Sequence, residues 1–178
     1  MAPGSMPSAS GTLGQPSRKP PAGVPRCFNP GMAETFQAAA SVELAAPAER
    51  VWRVLVEPDF VGRYMHGTSL ETGWKVGGPI VWRGEWQGQQ YEDKGEVLEF
   101  RPPQRLAVTH WSPLTGEPDV PGNYHHVTYE IEELGQDRSR LTLTHGNAPS
   151  QEAADAMVEN GWRPMLEALT QVAEAPDS

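Results

Sequence analysis

The sequence predicts an α+β domain: a curved antiparallel sheet of seven strands, covered on one side by a long C-terminal helix, with two short helices after the first strand. Three observations carry this. From Thr68 to Gly146 apolar residues recur at every second position, in runs separated by short Gly- and Pro-containing turns. Near the end, Trp162, Met165, Leu166, Leu169 and Val172 share one helical stripe. Before the runs, ETFQAAASVEL (34–44) alternates as one further strand.

In that first strand Phe36, Ala38, Ala40, Val42 and Leu44 share a face. Pro47 then opens PAERVWRVLVE, as proline favours a first helical turn, and Val51, Trp52, Leu55 and Val56 form its apolar stripe. Pro58 stops this helix, and PDFVGRYMHG gives a second short one ending at Gly67. Strands are expected at 68–74, 79–86, 90–100, 104–112, 124–134 and 138–146. Their boundaries are Gly77-Gly78-Pro79, Gln87-Gly88, Pro102-Pro103, the Pro/Gly-rich 113–122 and Gly135-Gln136-Asp137. Connections this short imply antiparallel neighbours. The last helix begins near Gln151 and is the only element long enough to cover the sheet. Pro164 lacks the N–H that would bond to the Asn160 carbonyl, which predicts a kink near Gly161 in an otherwise continuous helix.

Residues 1–32 differ in kind. They hold seven of the 18 prolines and no acidic residue, and they show no periodic apolar run. Such a segment buries too little surface to offset its ordering entropy, which predicts a disordered tail ahead of one domain at 33–175. It reads as a leader before an internal start at Met32, in preference to a targeting segment. The remainder keeps 11 of the 14 basic residues and all 23 acidic ones, a net charge of −12. That field repels nucleic acid and anionic membranes, so neither is an expected partner. The one cysteine, Cys27, has no partner, which points to a reducing cytoplasm. Monomer and homodimer both stay open.

Five segments together resemble the activator of Hsp90 ATPase homologue 1-like family, within the Bet v 1/START superfamily of helix-grip folds. They are APAERVWRVLVEPDFVGRYM, KVGGPIVWRG, KGEVLEFRPPQRLAVTHW, VTYEIEELGQDRSRLTLTHG and GWRPMLEAL, spread over residues 36–172. The resemblance implies a seven-stranded sheet gripping the C-terminal helix, with a cavity for an apolar small molecule between them. It also implies a possible Hsp90-type chaperone as partner. The chain departs from the family in carrying Arg63-Tyr64 where members often have Arg-Trp, and in having no room in residues 1–32 for the extra N-terminal domain of the eukaryotic co-chaperones.

Strand parity places side chains in the grip. His125 shares a face with Val127, Tyr129 and Ile131; His145 with Leu141 and Leu143; His110 with Leu106 and Val108. On 79–86, Ile80, Trp82 and Trp86 face inward and Arg83 and Glu85 outward. A meander brings the three histidines to one end of the sheet, His110 opposite His125 and His145 diagonal to it. No inward carboxylate or cysteine is expected beside them, so they read as the polar rim of a cavity and not as a metal site. Trp82, Trp86, Trp111 and Trp162 are candidates to line that cavity, with Met65 and Met165 completing it, whereas Trp52 reads as plain core.

No phosphate loop, His-Glu-x-x-His or Gly-x-Ser-x-Gly motif occurs, and no cofactor is expected. The reading placed first is a binding protein for an apolar or aromatic molecule. The alternative is a polyketide cyclase- or aromatase-like enzyme using His110 or His125 with Tyr129 as acid–base groups. A co-chaperone role rests on the family resemblance alone.

Overall fold

The computed structural model describes residues 35–176; the tail expected at 1–32 lies outside them. Its elements follow the expected order. Strand β1 (Phe36–Leu44) leads into helices α1 (Ala48–Val56) and α2 (Pro58–Tyr64). Strands β2 (Ser69–Thr72), β3 (Pro79–Trp86), β4 (Gln89–Arg101), β5 (Arg105–His110), β6 (His125–Gly135) and β7 (Arg138–Ala148) follow. They form one antiparallel sheet in the order β1-β7-β6-β5-β4-β3-β2, so only the β1–β7 pairing is non-sequential.

The sheet buries one face. Val97, Val108, Val127, Leu141 and Leu143 are at most 1 % exposed, and each such side chain contributes roughly 1.5–3 kcal/mol by leaving water. On the outer face, charged side chains pair across strands. Arg105 joins Glu99 and Glu130, and Arg140 joins Glu43 and Glu132. The alternation of β-branched and charged residues thus fixes which face is which.

The covering helix is built in three parts: α3 (Gln151–Met157), a π-helical turn (Val158–Trp162) and α4 (Arg163–Glu174). The Ser150 hydroxyl caps α3 by accepting from the Ala153 N–H at 3.1 Å. The π turn lies where the kink near Gly161 was expected. Buried Val158 and Leu166 are eight positions apart, which in an unbroken α-helix leaves them about 80° out of line at about 100° per residue. Absorbing one extra residue in the turn brings both back onto the sheet. Pro164 falls in the first turn of α4, where its missing N–H costs nothing.

The far end of α4 is held by α1 and the chain before it. Arg50 donates to the carbonyls of Val172, Ala173 and Ala175 at 3.3–3.4 Å, and the Glu174 carboxylate accepts from the Ala45 N–H at 2.8 Å. These contacts satisfy carbonyls that the helix end leaves free. The opposite end, at the π turn, lies over the histidines.

Candidate functional site

Sheet and helices enclose a cavity of about 30 Å³, room for roughly two water molecules. Trp82, Leu106, Val108, Val127 and Tyr129 line it from the sheet. Leu55, Tyr64, Met65 and Trp162 close it from the helical side, and Leu70 and Trp74 form its edge. His110 is the imidazole in its wall. The lining is apolar and aromatic around one polar group, the anatomy of a small-molecule site, but the volume is far below the ~300–1,000 Å³ of most such sites.

The three histidines meet as strand parity predicts. His110 pairs in register with His125, and Val127 with His145, so His125 and His145 are diagonal. Their rings stack at 4.7 Å. His110 lies edge-on to Trp82 at 5.4 Å and to Trp162 at 5.7 Å. The Trp162 indole N–H donates to His145 Nδ1 at 3.0 Å, which ties the π turn to β7. His125 and His145 stand beside the cavity wall, 8 % and 1 % exposed, and do not line it.

A carboxylate completes the cluster, against the expectation that none faces inward. Asp93 on β4 accepts from His110 Nε2 at 2.9 Å and is 9 % exposed. Alternation from Val97 through Gly95 reaches Asp93 and was the available signal. A β-carbon on Gly95 would stand 1.7 Å from the Thr109 carbonyl oxygen, so this approach of β4 to β5 requires glycine.

Burial sets the protonation of the cluster. His145 is lowered from 6.5 to about 4, first by desolvation and then by the neighbouring His125 and His110. His125 is lowered by burial, opposed by the Glu117 carboxylate 3.7 Å away. Tyr129 is raised by burial, so its phenol keeps its proton and is a poor base. Three buried atoms of the cluster have no hydrogen-bond partner: Asp93 Oδ1, His125 Nδ1 and His145 Nε2. Among the described residues no group of three or more His, Cys, Asp or Glu is placed to hold a metal ion.

Other expected lining residues lie elsewhere. Trp86 is 55 % exposed. Parity puts it on the inner face, but the Tyr91 phenol covers Gly84 and bonds to the Thr68 hydroxyl at 2.6 Å, closing the interior before Trp86 is reached. Met165 packs against the core outside the cavity. Trp111 is on the far side, stacked on Tyr124 at 6.4 Å with the Lys94 ammonium over its ring. Trp52 is core, 7 % exposed and 5.3 Å from Phe100. Trp74, which was not among the expected lining residues, has φ +50° and stacks on Phe100 at 5.1 Å.

The family model described as Activator of Hsp90 ATPase homolog 1-like protein matches residues 45–174. The solution structure of a protein from Cytophaga hutchinsonii is 40% identical, with a TM-score of 0.66 over 79% of this chain and 94% of that one. The crystal structure of an HSP90 activator from Plasmodium falciparum is 22% identical, with a TM-score of 0.62 over 80% and 99%. A crystal structure from Mesorhizobium loti is 20% identical, with a TM-score of 0.61 over 80% and 99%. The last two likenesses concern the fold alone. No curated protein matches the chain. Among the described residues no helix is long and apolar enough to cross a membrane.

Proposed function

The chain belongs to the activator of Hsp90 ATPase homolog 1-like family, and on that premise we propose that it binds a small apolar or aromatic molecule between the sheet and the C-terminal helix. The observation that carries this reading is the aromatic cavity wall of Trp74, Trp82, Trp162 and Tyr129 around His110. Flat apolar faces converging on one polar group suit a ring-bearing ligand. At about 30 Å³ the cavity must widen to admit one. Trp162 is the side chain positioned to yield, because it ends the π turn, where the regular backbone ladder of the helix is already interrupted.

The test is titration with N-phenyl-1-naphthylamine, a neutral fluorescent probe, on the wild type and Trp82→Ala. Saturation at one site per chain is expected, with binding weakened more than folding stability in the variant. Absence of saturable binding, or equal loss of binding and stability, overturns the reading.

The Asp93–His110 hydrogen bond favours a second reading, acid–base catalysis on the bound molecule. A carboxylate that fixes one ring nitrogen of a histidine orients the other for proton transfer. His110, not Tyr129, is then the reacting group. Turnover of a polyketide-type β-keto substrate, lost in His110→Ala while the substrate still binds, is its test. A role at an Hsp90-type chaperone rests on family membership, and stimulation of that chaperone's ATP hydrolysis by this protein is its measure.

A further inference from the structure

Tyr129 brings to the cavity a phenol whose hydrogen has no acceptor. Its side chain lines the cavity wall, and the residue is 8 % exposed. Tyr64, the other phenol of the lining, donates to the Leu55 carbonyl at 3.1 Å. The Tyr129 hydroxyl makes no hydrogen bond among the described residues, and burial is what holds its proton. Its cross-strand neighbours, Leu106 on β5 and Leu143 on β7, carry no polar side-chain atom. Asp93 Oδ1 and His145 Nε2 are also unpaired, but they are sealed from approach; the Tyr129 oxygen is not, and the space it meets is the cavity. A buried tyrosine hydroxyl ordinarily has a partner, so an accessible one without any calls for a ligand atom.

Resting on the binding function proposed above, we propose that the Tyr129 hydroxyl is the hydrogen-bond donor that selects the ligand, and that the ligand is a neutral aromatic ketone whose carbonyl oxygen accepts from it. The alternatives leave more unmet. A hydrocarbon leaves the hydroxyl without a partner. Among the described residues no Arg, Lys, Asp or Glu lines the cavity, so a charged group would be buried without a counter-charge. An alcohol accepts as well, but it brings a second hydrogen to a place where the Leu106 and Leu143 side chains accept none. A carbonyl oxygen accepts and brings no hydrogen. His110 enters the lining four residues along β5 from Leu106, about 13 Å away by strand rise, so this contact does not draw on the Asp93–His110 pair.

The experiment compares acetophenone, α-methylstyrene and 1-phenylethanol. They share a phenyl ring and a methyl-bearing carbon, and that carbon carries a carbonyl oxygen, a methylene or a hydroxyl. Binding to the full chain is followed by the indole N–H resonances in two-dimensional NMR, for wild type and Tyr129→Phe. We expect the substitution to weaken acetophenone about tenfold, the effect of one buried hydrogen bond, and to leave α-methylstyrene unchanged. In wild type acetophenone should bind more tightly than 1-phenylethanol, a molecule of nearly the same size. The variant removes only an unpaired hydroxyl, so its urea midpoint should equal or exceed that of the wild type. Equal effects of the substitution on acetophenone and α-methylstyrene, or an alcohol bound at least as tightly as the ketone, overturn the carbonyl proposal and leave the cavity reading standing. So does a clear loss of stability in Tyr129→Phe, because the hydroxyl would then have a partner within the fold. Absence of binding by all three compounds overturns both.

Discussion

Lowering the pH from 7 to 5 should destabilise this protein through His145. In the folded chain burial holds its imidazole at about 4 instead of 6.5. Between these values the unfolded chain binds a proton that the folded chain refuses, so stability is present above 6.5 and is lost as pH falls toward 4. At pH 5 the unfolded ring is almost fully protonated and the folded ring almost fully neutral, which corresponds to a loss of about 2 kcal/mol relative to pH 7. His145 is 1 % exposed, so solvent screening does not reduce this figure. His125, also lowered, acts in the same direction. The carboxylates of Glu43, Glu99, Asp119 and Glu159 are held low by hydrogen bonds to arginine or lysine, and their losses come at more acid pH. Urea unfolding at pH 7 and pH 5, for wild type and His145→Phe, isolates the effect. The wild type should lose about 2 kcal/mol more than the variant over that interval. Equal losses in the two proteins, or an NMR titration in which the His145 ring protonates near pH 6.5, would refute the argument.

Two further outcomes follow from packing. Gly95→Ala puts a β-carbon 1.7 Å from the Thr109 carbonyl oxygen; forcing β4 from β5 should cost about 2–3 kcal/mol in denaturant unfolding, and an unchanged midpoint would mean that the strands need not approach so closely. Leu169→Ala, at a side chain with no exposure, should cost about 2–5 kcal/mol; a loss below about 1 kcal/mol would show that α4 is not the lid of the core.

How much of this was legible in the sequence varied with how completely each face is committed. Strands β1, β6 and β7 alternate regularly over 38–44, 125–131 and 139–145, where one side of each meets the core. Their parity therefore located the histidines and paired His110 with His125. Strand β4 reads QQYEDKGEVLEFR, with a register shift between Val97 and Glu99. Alternation from Val97 through Gly95 does reach Asp93, but the residues around it are so polar that neither face of this stretch stands out as the inner one. Trp86 misled because alternation reports a face and not how far along the strand that face stays covered. That limit is set by Tyr91 over Gly84, a contact between strands. Trp74 closes the strand expected at 68–74 and shares parity with Leu70, so alternation did point it inward; the observed strand stops at Thr72, and Trp74 reaches the cavity from a turn at φ +50°. Pro164 signalled a break in the closing helix, but whether a break becomes a bend or a wider turn depends on the phase between Val158 and Leu166, which only the packed sheet sets.

The π turn has a consequence for how such chains can change in length. Because it stores one surplus position between two stretches that already face the sheet, removing a single residue there would keep both buried stripes in phase, with the hydrogen-bond ladder still broken at Pro164. Insertions and deletions inside a buried helix are ordinarily ruinous; here one is absorbed locally. Trp162, at the end of the slack, is the side chain whose position would change, so a one-residue difference in length would reset the aperture of the grip and leave its foundations alone.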